Sequence, residues 1–88
     1  MLSSAMLFLS PALAYESSTL YNGCSGEEVR QLQQALIDLG FLDGKADGVF
    51  GNKTENAVRA FQKKNKLTAD GLAGEKTREL ALNSAAKL

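Results

Sequence analysis

Histidine is absent from this 88-residue chain, and cysteine occurs once, at Cys24. Zinc sites are assembled mainly from those two residue types, so no ordinary zinc set is available. A lone thiol forms no disulfide within the chain and reports nothing about redox compartment. Neither Cys24 nor any serine has an imidazole to activate it, so nucleophilic catalysis lacks its base. A surplus of charge is missing as well: 10 Lys and Arg balance 10 Asp and Glu. A protein held to nucleic acid by neutralising phosphates needs a basic face, and so does a polybasic membrane anchor. The acids that are present fall at helix starts and in turns. A glycosidase needs two carboxylates across a cleft, one of them desolvated, and solvated turns do not supply that. These absences make the chain an unexpected enzyme, with no catalytic residue, metal or cofactor expected.

Long apolar runs are missing too. The first fourteen residues, MLSSAMLFLSPALA, carry no charge, yet they fall short of the ~20 apolar residues that span a bilayer. The triplet Ala12-Leu13-Ala14 after Pro11 reads as a secretory cleavage site, although the basic start of a signal peptide is missing. Residues 1–14 are therefore expected to be a signal-peptide remnant, 15–22 a lead-in, 23–83 a folded domain and 84–88 a fraying tail. A secreted monomer without a membrane span is expected. The length allows one small domain, and a chain that is 44% hydrophobic can bury a core.

Three helical patterns fill that domain. Val29, Leu32, Leu36 and Leu39 recur at three- and four-residue spacing and predict an amphipathic helix over about 27–39. Ser25 stands three residues before Glu28, the spacing of a capping box, and Gly40 with Phe41 supplies a left-handed stop and its apolar partner. Thr54, Ala57, Val58 and Phe61 predict a second buried stripe, started by Gly51 or Asn52, with a second capping-box spacing from Asn52 to Glu55. A shorter third helix is expected over about 75–83, with Leu80 inward and Ala81 and Leu82 at the core's edge. The fold class is all-α: a compact three-helix bundle with an Asp-Gly turn loop before helices two and three.

Those loops are written almost twice. ADGVFGNKT at 46–54 and ADGLAGEKT at 69–77 agree at six of nine positions. A calcium loop starting at Asp43 would put Lys45 at its third position and Thr54 at its twelfth, neither of them a suitable ligand. The turn reading fits better: Asp-Gly makes a tight turn and feeds a helix start, with Thr54 and Thr77 in the first turn. A second echo, VRQLQ at 29–33 and VRAFQ at 58–62, places Gln33 and Gln62 beside the apolar face, toward a rim. There each is expected to tie its helix to a loop carbonyl.

The stretch from Gly23 to Leu82 resembles the peptidoglycan-binding domain found in many bacterial cell-wall hydrolases. The pieces that carry the resemblance are Gly23 and Gly26, Val29 to Gln33, Gly40-Phe41, Asp47 to Thr54, Ala57 to Gln62, Leu67, and Asp70 to Thr77. The sequence departs from that pattern at Lys66, where the family often has glycine. The resemblance implies a three-helix module that binds cell wall without catalysis, secreted or wall-associated, its ligand the glycan or the stem peptide. A separately encoded or attached hydrolase is then a partner, and a regulatory module acting on such a hydrolase is the alternative. For the binding surface the residues point to the first Asp-Gly loop and the outer side of helix two: Asp47, Phe50, Asn52, Arg59, Gln62 and Lys63. Phe50 fills something that the second loop, with Ala73 in its place, need not: core, or the wall of a groove, and for a binding surface it is taken as the wall. Lys53, Arg59, Lys63, Lys64 and Lys66 against Glu55 make that segment locally basic.

Overall fold

A computed structural model describes residues 19–88 of the chain; the expected signal-peptide remnant at 1–14 lies outside the described residues. Three helices follow one another: α1 (Glu27–Asp38), α2 (Asn52–Lys64) and α3 (Glu75–Ala86). Among the described residues there is no strand, only two isolated antiparallel bridges, Ser25 with Val49 and Leu20 with Ala73. The core is built from the predicted stripes. Val29, Leu32 and Leu36 of α1 meet Ala57, Val58 and Phe61 of α2, all buried. Phe41 turns back from the end of α1 and sets its ring edge-on to Phe61, centroids 5.5 Å apart at 87°.

The two Asp-Gly loops are held by two buried glutamines. Gln33 of α1 is 2% exposed and Gln62 of α2 is 1% exposed. They sit inside the domain, not at its rim as expected. Gln33 Nε2 lies within 3.1 Å of three acceptors: Asp47 Oδ1, the Val49 carbonyl and Thr54 Oγ1. Its Oε1 accepts from Gly48 N at 2.8 Å, and Asp47 Oδ1 also accepts from Val49 N at 2.9 Å. Gln62 repeats the pattern one joint later, with Asp70 Oδ1, the Leu72 carbonyl, Thr77 Oγ1 and Gly71 N. Gly48 and Gly71 take φ of 80° and 78°, the left-handed conformation that lets each turn its N–H onto the carboxamide.

Both capping boxes are absent. The helices start at Gly26, Gly51 and Gly74 with no side-chain cap. The Thr54 and Thr77 hydroxyls serve the carboxamides instead. Ser25 and Gly26 are drawn into pairing with the first joint, Gly26 N donating to the Gly48 carbonyl at 2.9 Å. The described part of the expected lead-in, residues 19–22, is likewise bonded into the domain. Leu20 is buried and exchanges two hydrogen bonds with Ala73, while Gly23 N and Phe50 N bond across to the Phe50 and Cys24 carbonyls. One extended segment thus braces both joints.

α3 departs most from its expected form. It continues to Ala86, past the tail predicted from residue 84. Its inward positions are Thr77, Arg78 and Ala81, whereas Leu80 is half-buried and Leu82 is 42% exposed. α3 packs mainly against α1, and the small Ala81 is what the close approach of two helices accepts.

α1 and α2 end alike. Phe41 N reaches the Leu36 carbonyl and Gly40 N that of Ile37; Leu67 N reaches the Gln62 carbonyl and Lys66 N that of Lys63. This is the paired bonding of a Schellman stop. The residue at its left-handed position is Gly40 in one case and Lys66, φ 60°, in the other. Left-handed backbone costs a side-chain-bearing residue about 1 kcal/mol. Lys66→Gly is therefore expected to stabilise the domain by about that amount, read as a raised denaturation midpoint at unchanged slope. Gln62→Leu conserves bulk but strands the Gly71 N–H and the Leu72 carbonyl; it is expected to destabilise by about 2–4 kcal/mol in the same measurement.

Candidate functional site

In front of each joint lies an open depression. The first, of 390 Å³, is lined by the joint itself at Asp47, Val49, Gly51, Asn52, Lys53 and Thr54, and by the preceding loop at Leu42, Asp43, Gly44 and Lys45. The second, of 520 Å³, is lined by Asp70, Leu72, Gly74, Glu75, Lys76 and Thr77, with Thr19, Lys66, Leu67 and Thr68 around it. In both, the chain alternates across the joint. Phe50 and Ala73 point into the core, so Val49 and Leu72 point out, 56% and 47% exposed.

The six residues singled out from the sequence do not form one surface. Asp47 and Asn52 share the first depression. Phe50 is 1% exposed and packs among core side chains, so it offers no ring to a ligand. Gln62 is committed to the second joint. Arg59 forms an ion pair with Glu55 at 3.0 Å, and both lie against Gly71, near the second joint rather than the first. Lys63 is exposed on the last turn of α2, outside both depressions. Val49 and Leu72 were passed over. The available signal was their matching aliphatic character at one position of the repeat.

Asn52 is anchored from outside the loop. Asn22 Nδ2 donates to Asn52 Oδ1 at 2.8 Å and to Glu55 Oε1 at 3.0 Å, so the segment before α1 orients the amide at the edge of the depression. The charged groups of the first depression are Asp43, Asp47, Lys45 and Lys53, two of each sign. Such a wall is neutral, hydrogen-bonding and partly aliphatic. It suits a ligand with amide, hydroxyl and methyl groups better than a bare anion. Among the described residues no cluster of acidic, histidine or cysteine side chains could hold a metal ion, and no helix is long and apolar enough to cross a membrane.

Residues 25–80 match the family model described as putative peptidoglycan binding domain. The chain belongs to that family. It is 45% identical over 71 residues to a spore cortex-lytic enzyme of Bacillus cereus, covering 81% of this chain and 27% of that enzyme. It is 46% identical over 52 residues to the N-acetylmuramoyl-L-alanine amidase CwlM of Mycobacterium tuberculosis, 59% of this chain and 13% of that protein. Among solved structures, the SleB N-terminal domain superposes with a TM-score of 0.75 at 44% identity, covering 81% of this chain and 97% of that one. The chain thus spans about a quarter of the cortex-lytic enzyme it resembles.

The joint aspartates are expected to make the fold sensitive to acid. The Val49 N–H, and after it the Gln33 amide, hold the Asp47 carboxyl below its usual pKa. The Leu72 N–H is the largest cause of the same lowering at Asp70. A carboxylate whose folded pKa is depressed contributes stability above its unfolded pKa and loses it as pH falls through the folded value. Melting temperature is expected to be level near neutrality and to drop below about pH 4, where free aspartates protonate. The Asp47→Asn, Asp70→Asn double variant, melted over the same pH range, should show a smaller acid drop; an unchanged drop would remove these two groups from the cause.

Proposed function

We propose that this domain binds bacterial cell-wall peptidoglycan without catalysis and holds a hydrolase, attached or separately encoded, at the wall. Family membership over most of the described residues supports the ligand class. The observation that carries the site is the first depression, where an exposed aliphatic side chain stands beside an anchored amide and a charge-balanced rim. Peptidoglycan presents that mixture: acetyl and alanyl methyls, amides, hydroxyls and occasional carboxylates. In this reading Val49 meets a methyl, Asn52 exchanges hydrogen bonds with an amide, and Lys53 reaches a carboxylate. Arg59 and Lys63 lie outside the contact and serve the general field of α2. The site of action is outside the cytoplasmic membrane, where the wall is.

Sedimentation with insoluble purified peptidoglycan tests this. The domain is expected to pellet with the wall and to stay bound as salt rises to about 0.3 M, because a neutral contact is little screened. Val49→Asp with Asn52→Ala should weaken binding about tenfold, the scale of losing one or two anchoring contacts. Lys63→Gln with Lys64→Gln should leave it within about twofold. A domain that remains in the supernatant at every salt concentration sinks the proposal. Release at low salt, reproduced by the Lys63 and Lys64 substitutions, would move the contact to the end of α2.

A further inference from the structure

The two depressions are the same depression built twice. Val49, Gly51, Lys53 and Thr54 of the first correspond, 23 residues on, to Leu72, Gly74, Lys76 and Thr77 of the second. The correspondence extends beyond helix starts. Each depression has one outward aliphatic side chain at the same point of the turn, exposed although it is large and apolar. Each has one lysine at the second residue of the following helix. Each balances two acids with two lysines: Asp43, Asp47, Lys45 and Lys53 in one, Asp70, Glu75, Lys66 and Lys76 in the other.

The joints beneath are not free to drift apart in shape, since each backbone is bonded to a buried carboxamide at equivalent atoms. The core needs the inward residue of each joint, and there the copies differ, Phe50 against Ala73. The outward residue is under no packing demand, and there they agree in kind. Retained likeness where packing imposes none points to a shared ligand.

We infer that the second depression is a second binding site for the same repeating unit, so that one domain engages peptidoglycan at two points. This rests on the wall-binding reading above. A polymer that repeats one chemical unit is the occupant that two like sites on one small rigid body fit, because the second contact is then made at a high local concentration. The two sites are not identical. Glu75 stands where the first has Asn52, so the second site offers a carboxylate acceptor in place of an amide and favours a ligand group that donates.

The test uses two probes. With a soluble disaccharide–peptide monomer released from purified wall by a muramidase, calorimetry is expected to give two sites per domain. Amide shifts in ¹⁵N spectra should move at both 49–54 and 72–77. Val49→Asp and Leu72→Asp should each remove one of the two sites and leave the affinity of the other within about twofold. On insoluble peptidoglycan each single variant should lose about tenfold or more, and the double variant should not pellet, which is the signature of lost avidity. Both side chains are exposed, and unchanged melting temperatures would confirm that the fold is intact. One site per domain, with shifts confined to residues 49–54 and full wall binding by Leu72→Asp, overturns the second site while leaving the wall-binding reading standing. Failure of the wild-type domain to pellet and to bind the monomer would overturn both.

Discussion

Each Asp-Gly joint of this domain hangs on a neutral carboxamide buried beside the core. A tight turn aimed into a protein must bring its own N–H and carbonyl with it, and leaving either unpaired costs as much as the turn can gain. Gln33 and Gln62 meet that demand because one side chain carries both a donor and an acceptor. A carboxylate would offer no donor and a lysine no acceptor, and either would carry a charge into the core at far greater cost. With the turn so pinned, the next residues follow. Phe50 or Ala73 is driven inward, Val49 or Leu72 outward, and the helix after the joint starts at a glycine, which has no side chain to cap it.

The same constraint explains which parts of the fold could be read from the sequence. Spacing alone identified the apolar stripes of α1 and α2 and the stop at Gly40-Phe41, since both are local patterns that burial reinforces. It placed the glutamines beside the stripe but assigned them to a rim, because polar residues are usually solvated. That general tendency yields when a loop returns with unpaired backbone, and the loop's path is a tertiary fact. For Phe50 the contrast with Ala73 left core and groove wall both open, and the structure selects the core: both residues occupy an inward position whose size the core sets. The capping boxes at Ser25 and Asn52 had correct spacing and still did not form. The caps are Gly26 and Gly51 instead, so Ser25 lies one residue before the cap position and Asn52 is already the first helical residue, its amide oxygen accepting from Asn22. α3 has the weakest apolar pattern, and its register could be found only from the helix it packs against.

Lys66 shows where the two joints stop being equivalent. The bonds that end α1 and α2 are the same, and only the residue in the left-handed position differs. A glycine would rest there at lower energy. The lysine in that place stands at the edge of the second depression, whose lining then holds two acids and two lysines. Local strain retained beside a candidate ligand surface is a recurring trade in binding sites, where an unfavourable backbone angle positions a useful side chain. Nothing in the packing of α2 calls for a cation at that point.

Duplicated architecture and duplicated chemistry are two separate explanations of the repeated nonapeptide. The alternation of the chain across each joint makes them compatible. The glycine N–H and the threonine hydroxyl of each repeat are engaged by the buried carboxamide, and one oxygen of each aspartate is held by the turn while the carboxylate still lines the depression. The outward-facing residues join in only through their backbones, so the turn can be preserved while their side chains change freely. That both remain aliphatic, each with a lysine four positions further along, is information the joint does not require. The repeat therefore carries its architecture on the inward face, while ligand contact, as proposed for the two sites, falls to the outward face of the same few residues.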